Sequence, residues 1–333
     1  MSPTQSLELN NSRTLAWKEF QDGYKNIAFS IFRSTKKDNY YEISIDRFLE
    51  CLELNPTDVI TQKTPTQIRI TCIDGRCQWE NTRTICEAKS ILDLELAGCG
   101  AQLSDQQLTK WCEYLLTWAN KNSIKEIDVY SHTGCGAAAL GKSKMVSNIL
   151  QNIWKNSFPA NAEELSDYEC EINYRDRMYG ELQTAKLKLN FDIEIRSSHQ
   201  ASCDMQYIGG QPASLHPEYA VFFTDYMRLE SLDRPHICLS RLLHLGGIAA
   251  FGLTDIINSN FDGQIRSDFY GALAASIIQG SHGLGDDFIL PFVFLAHSEV
   301  SIDKYKKLMY YLEQELSKTN FKQKYMFLVV DCQ

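Results

Sequence analysis

Two short segments of the chain carry side chains that could bind a metal ion. The first is Cys-Ile-Asp-Gly-Arg at positions 72–76, and the second is His-Thr-Gly-Cys at positions 132–135. Together they supply two cysteine sulfurs and one imidazole, which are three of the four ligands of a tetrahedral zinc ion. A structural zinc site usually has a fourth Cys or His, whereas an open fourth position is typical of a catalytic site. The residue types therefore predict a zinc site formed by Cys72, His132 and Cys135.

Both segments follow stretches with the pattern of β-strands. Apolar residues alternate with polar ones along 67–73, and the strand predicted at 124–130 brings His132 to its carboxyl end. Between them, Ser104 and Gln107 form a capping-box pair that predicts the start of an amphipathic helix. We predict an open, mostly parallel sheet, because ligands in such sheets bind outside the carboxyl ends of the strands.

The rest of the chain shows a similar alternation of helical and extended patterns. We predict helices at 15–32, 46–54, 136–154 and 302–318, the last with Ser301 as its cap, and strands at 191–195, 219–223, 292–297 and 325–330. These elements predict an α/β fold in three regions. They are an N-terminal helical extension (1–64), a zinc-binding domain (65–205) and a second α/β region (206–333).

Composition and charge exclude several classes of function. The net charge of −9 argues against nucleic acid or an anionic membrane as the main partner. No uninterrupted apolar stretch is long enough for a membrane span, and the N-terminus lacks a signal-peptide pattern. The 11 cysteines are scattered and odd in number, so they do not suggest a disulfide framework. We therefore expect a cytoplasmic protein.

The motif Cys-x-Asp-x-Arg, followed 60 residues after its cysteine by His-x-x-Cys-Gly, resembles the zinc signature of the β-class carbonic anhydrases. The resemblance implies that Cys72, His132 and Cys135 are zinc ligands and that Asp74 and Arg76 form a catalytic pair beside the metal. It covers about residues 65–155, where Ala-Gly at 97–98 also matches a short element of the family. The implied fold is a β-carbonic anhydrase-like, mostly parallel sheet flanked by helices.

The implied activity is the reversible hydration of CO2 to bicarbonate, with zinc-bound hydroxide as the nucleophile. In the family, the counterpart of Asp74 accepts a hydrogen bond from the zinc-bound water and the counterpart of Arg76 holds that carboxylate; in some members the aspartate binds zinc instead. The chain departs from the family at Glu95-Leu96, where many members have Arg-Asn. Two alternatives remain open: a hydrolase of CS2 or COS on the same scaffold, and a catalytically silent zinc protein that binds a partner.

The second region has features of a degenerate copy of the first. A strand pattern at 219–223, a Leu-x-Leu-Gly-Gly segment at 243–247 and a strand ending near His297 repeat the order seen around the zinc motif. In that alignment Phe223 and Val300 occupy the cysteine positions, so the copy would not hold zinc in the same way. The chain would then be a tandem pseudo-dimer; otherwise the second half is an unrelated α/β region and the protein a homo-oligomer. His199 and Cys203 are a further possible metal pair. The alternative is that they are an ordinary surface or core pair.

Overall fold

The computed structural model describes residues 40–51, 60–61, 65–72, 91–101, 103–135, 164–200, 221–224, 236–237, 248–251, 289–297, 299–317 and 324–333. The strands are β1 (Tyr41–Ser44), β2 (Ile60–Thr61), β3 (Gln67–Thr71), β4 (Ile91–Glu95), β5 (Glu126–His132), β6 (Glu194–Gln200), β7 (Val221–Thr224), β8 (His236–Ile237), β9 (Ile248–Phe251), β10 (Ile289–Ala296) and β11 (Lys324–Asp331). The helices are α1 (Ile45–Cys51), α2 (Asp105–Lys121), α3 (Asp167–Leu189) and α4 (Glu299–Ser317), and a short 3-10 turn spans Ala97–Cys99.

The first sheet contains four parallel strands in the order β4-β3-β5-β6. Its two central strands are rich in β-branched residues, and Ile68, Ile70, Ile127 and Val129 are fully buried. Parallel strands covered on both faces are expected to be apolar in this way. This sheet holds every predicted metal ligand at or just beyond the carboxyl end of a strand.

The second sheet contains five parallel strands in the order β1-β11-β10-β7-β9. Its core is aromatic, since the fully buried ring of Phe292 and the ring of Phe294 both pack against the ring of Phe327. The remaining two strands, β2 and β8, form a separate antiparallel pair.

The two sheets share one strand order. When β1 is left aside and the strands are counted along the chain, the first strand of each sheet lies between the second and the third, and the fourth lies beyond the third. The orders are β4-β3-β5-β6 in one sheet and β9-β7-β10-β11 in the other. In each, a long helix also separates the third and fourth strands, α3 in the first case and α4 in the second. The second sheet differs by the addition of β1 at its edge.

Helices α2 and α3 pack against each other beside the first sheet. Both begin with a complete capping box, formed by Ser104 with Gln107 and by Ser166 with Glu169. Arg177 of α3 joins the two helices by donating to the Asp105 carboxylate (2.8 Å) and to the carbonyl oxygen of Leu103 (2.7 Å). Within the described ranges, no helix combines the length and the apolar character that crossing a membrane requires.

The predicted mixed α/β class, with parallel sheets flanked by helices, is confirmed. Four details differ from the sequence predictions. Strand β1 lies within the predicted helical extension, α3 was not predicted, β6 begins later than expected, and α4 begins at Glu299, so that Ser301 is inside the helix and does not cap it. The helices predicted at 15–32 and 136–154 lie outside the described residues.

A buried carboxylate connects three neighbouring strands of the first sheet. Asp128 of β5 accepts a hydrogen bond from the Gln67 amide of β3, and Arg196 of β6 contacts its two oxygens at 2.7 and 3.2 Å. The Asp128 side chain is 9% exposed, whereas that of Arg196 is 46% exposed. Solvent therefore screens the guanidinium more than the carboxylate.

Replacing Arg196 with methionine is expected to lower the free energy of unfolding by about 1–2 kcal/mol, because it leaves the buried Asp128 without its charged partner. Urea denaturation would measure the loss. The control is Arg47→Met, which breaks the solvent-exposed pair with Glu50 and should cost less than about 0.5 kcal/mol. Equal losses for the two variants would contradict the stabilising role of the Asp128 network.

Candidate metal centre

The predicted ligands lie at the point where the strand order of the first sheet reverses. From β3 the chain passes to β4 on one side, and it then returns to form β5 on the other side of β3. The carboxyl ends of β3 and β5 therefore border a crevice, which is the usual ligand position in open α/β sheets. Cys72 follows β3 directly, His132 is the last residue of β5, and Cys135 lies three residues beyond it.

The structure brings these three side chains together, as predicted. One ligand atom from each of Cys72, His132 and Cys135 lies within 4.8 Å of the others, and the three residues are 4%, 1% and 4% exposed. The two sulfurs are 3.7 Å apart, much farther than the roughly 2.05 Å of a disulfide bond. Neither cysteine forms a disulfide bond.

The sulfur–sulfur distance agrees with the geometry of a shared zinc ion. Two Zn–S bonds of about 2.3 Å that meet at a tetrahedral angle place their sulfurs about 3.8 Å apart, and the observed separation is 3.7 Å. Two soft thiolates and an imidazole also form a donor set that suits zinc. The three residues therefore fit a zinc ion, and a fourth position is left for another ligand.

Two backbone groups orient the ligands. The N–H of Gly98 donates to the Cys72 sulfur at 3.3 Å, which stabilises negative charge on it. Gly98 has φ 54° and ψ 40°, a left-handed conformation that glycine adopts without steric cost. The Nδ1 of His132 is 3.1 Å from the carbonyl oxygen of Thr133, so Nδ1 donates its proton there and Nε2 keeps the lone pair that a metal needs.

A third cysteine near the site is held in a different state. Cys99 borders a small cavity together with Cys72 and Cys135, but its sulfur donates to the carbonyl oxygen of Tyr130. Burial raises the pKa of Cys99 well above the ordinary value, and the neighbouring charge of Cys72 raises it further. Burial therefore favours the thiol form of Cys99, and its sulfur is not among the clustered ligand atoms.

A small cavity adjoins the three ligands. Its enclosed part has room for about one water molecule. Among the residues that the structure describes, its lining consists of Cys72, Gly98, Cys99, Ser131, His132, Cys135, Glu171 and Tyr174. Burial, followed by the charges of Cys170 and Cys135, raises the pKa of Tyr174 far above its usual range, so its phenol stays protonated.

Sequence reasoning missed Glu171, the acidic residue of the cavity. Its Oε1 accepts hydrogen bonds from the N–H groups of Gly134 (2.7 Å) and Cys135 (3.0 Å). Burial raises the pKa of Glu171, while these two hydrogen bonds oppose the shift. The Ser166–Glu169 capping box could have revealed the helix, but no local pattern places its first turns against the metal segment.

His199 is bound to two hydroxyl groups. Its Nδ1 is 2.8 Å from Ser131 Oγ, and its Nε2 is 3.1 Å from Thr133 Oγ1. Burial, then the charge of Arg175, lowers the pKa of His199, which keeps the ring neutral at neutral pH. Both ring nitrogens thus help to position the segment around His132. Cys203, the other residue of the possible metal pair, lies outside the described residues.

The two residues predicted as the catalytic pair, Asp74 and Arg76, also lie outside the described residues. Their roles remain predictions that rest on the motif. A scan with protein-family models finds no match to this chain, and a comparison with curated proteins finds none either.

Proposed function

We propose that the protein is a zinc-dependent enzyme that hydrates CO2 reversibly to bicarbonate. The observation that carries the proposal is the cluster of Cys72, His132 and Cys135, whose ligand atoms lie within 4.8 Å of one another beside a cavity. A bound zinc ion would acidify a water ligand and so supply a nucleophile near neutral pH. Because zinc is also a structural ion, the donor set alone does not select catalysis, and the cavity beside it is the second support.

In this proposal the surrounding residues hold the site in a fixed shape. The Gly98 N–H and the Thr133 carbonyl orient Cys72 and His132, as described above. The resemblance assigns Asp74 the acceptor for a hydrogen bond from water in the site, and it assigns Arg76 the partner that holds this carboxylate. A structural zinc site needs neither residue, so their presence at the motif positions favours an enzyme over a silent zinc protein.

We also propose that the sheet is β-carbonic anhydrase-like and that the two halves form an internal pseudo-dimer. The shared strand order of the two sheets supports a duplication, since it extends over four strands in each half. The strand register changes the alignment of the copies. When His297 is aligned with His132, the pair Phe223–Phe294 takes the place of Ile70–Val129, and Asp225, not Phe223, becomes the counterpart of Cys72.

In this alignment His297 and His132 each lie three residues beyond the paired residue of their strand. The second half thus retains a histidine that is 8% exposed, but no cysteine at the aligned position 225 or 300. A second zinc site of the same composition is therefore not part of the proposal. We propose a cytoplasmic location, which suits a site that depends on reduced cysteines.

Stopped-flow measurement of CO2 hydration by the zinc-loaded protein tests the activity. Arg76→Ala is expected to retain zinc and to lose at least tenfold in turnover, since one positioning contact typically contributes about 1.4 kcal/mol or more. Asp74→Asn should likewise lower turnover with zinc retained. The matched control is Asp105→Asn, an exposed acid on α2, which should leave turnover unchanged.

The test also separates the alternatives. No hydration rate above that of the Asp74→Asn variant would contradict the proposed activity. Hydrolysis of COS or CS2 by the same preparation would then identify the related hydrolase, and the absence of both reactions would indicate the silent zinc protein.

A further inference from the structure

Glu171 occupies a position that stability alone does not explain. It is 2% exposed, and its Oε1 is bound by the N–H groups of Gly134 and Cys135. Its other oxygen, Oε2, is buried and has no hydrogen-bond partner in the part of the chain that the structure describes. Leaving a buried polar atom of a charged group without a partner destabilises the folded state.

The cavity offers an explanation for this cost. Glu171 borders the same cavity as the three metal-binding side chains, so water or a substrate hydroxyl that enters it can donate to Oε2. Glu171 does not belong to the group of atoms within 4.8 Å of one another, which in the described residues consists of Cys72, His132 and Cys135. It is therefore placed beside a metal rather than on it.

The carboxylate of Glu171 changes the net charge of the metal site. Two thiolates balance the charge of a divalent zinc ion, and a neutral histidine adds none. The carboxylate of Glu171 then leaves the described site with one net negative charge. The Asp74–Arg76 pair implied by the motif adds no net charge. Inside a protein, where the effective dielectric constant is lower than in water, a nearby charge changes ligand affinity more than it would in water.

We propose that Glu171 determines the ligand specificity of the metal site, admitting water and neutral substrates and disfavouring anions. Two backbone N–H groups fix Oε1, so the carboxylate cannot turn away from an anion that enters. Oε2 accepts from hydrogen-bond donors but has nothing to offer an anion. The inference rests on the proposed zinc site and adds to it a preference for CO2-like neutral substrates over bicarbonate-like anions.

Thiocyanate titration of the cobalt-substituted protein, followed by its visible absorption, tests the inference without measuring turnover. Glu171→Gln keeps an oxygen for the two N–H groups, removes the charge and places an N–H donor in the cavity. It is expected to bind thiocyanate at least tenfold more tightly than the wild type, a difference of about 1.4 kcal/mol. Glu171→Asp, which keeps the charge, should bind thiocyanate weakly, as the wild type does.

The control is Glu181→Gln on the same helix. Glu181 accepts from Thr109 Oγ1 at 2.9 Å, away from the cavity, and its replacement should leave thiocyanate affinity unchanged. Equal affinities for cobalt-loaded wild type and Glu171→Gln would overturn the inference and leave the proposed zinc site standing. Loss of cobalt from Glu171→Gln would also overturn it, because Glu171 would then be needed for metal retention. A wild-type protein that binds neither zinc nor cobalt would overturn the proposed function itself.

Discussion

Replacement of Cys72 by serine is expected to reduce bound zinc from about one ion per chain to nearly none. The hydroxyl of serine stays protonated where a cysteine becomes a thiolate, and two remaining ligands hold zinc far more weakly than three. Cys72 is one of the three clustered ligands and is 4% exposed. Metal content after dialysis against a weak chelator would measure the effect.

The same substitution should lower thermal stability, because a shared ion connects the segment after β3 to the segment after β5. The control is Cys332→Ser, at a partly exposed cysteine whose sulfur donates to the carbonyl oxygen of Val330. The Cys332→Ser variant should retain zinc and keep the thermal stability of the wild type. Full zinc content in Cys72→Ser would contradict the ligand assignment.

Replacement of Trp111 by alanine is expected to lower the free energy of unfolding by about 3–5 kcal/mol, the usual cost of removing a large buried aromatic ring. Trp111 is fully buried on α2. Circular dichroism during urea denaturation would measure the loss, with Thr117→Ala on the exposed face of the same helix as the control. A loss below about 1 kcal/mol would show that the site can collapse around the smaller residue.

Trp111→Phe separates the ring from its polar group. The indole Nε1 is buried and, among the described residues, has no hydrogen-bond acceptor. Phenylalanine removes this N–H and keeps most of the apolar volume, so we expect a loss of less than about 2 kcal/mol. A variant that folds well with phenylalanine but not with alanine would identify packing as the contribution of Trp111.

The metal cluster could be predicted because its signal is local and chemical. Cys72, His132 and Cys135 lie at or just beyond the end of a strand that apolar alternation reveals, and the carboxyl ends of adjacent parallel strands meet at one edge. Only the adjacency of β3 and β5 had to be assumed. The capping box of α2 was likewise visible, because Ser104 and Gln107 satisfy each other within one turn.

The contribution of Glu171 could not be predicted, since it depends on tertiary packing. The residue lies 36 positions after Cys135, and only the docking of α3 on the sheet brings the two together. The placement of β1 failed for a related reason. Its four residues carry little pattern of their own, and the partner that makes them a strand lies in β11.

The pairing of β1 with β11 sets an order of events during protein synthesis. Tyr41 to Ser44 pair with Leu328 to Asp331, which are translated 287 residues later. The first sheet, whose strands all lie between residues 67 and 200, can form long before that. Strand β1 therefore lacks its partner strand until β11 is synthesised, and chaperones can bind it during that interval.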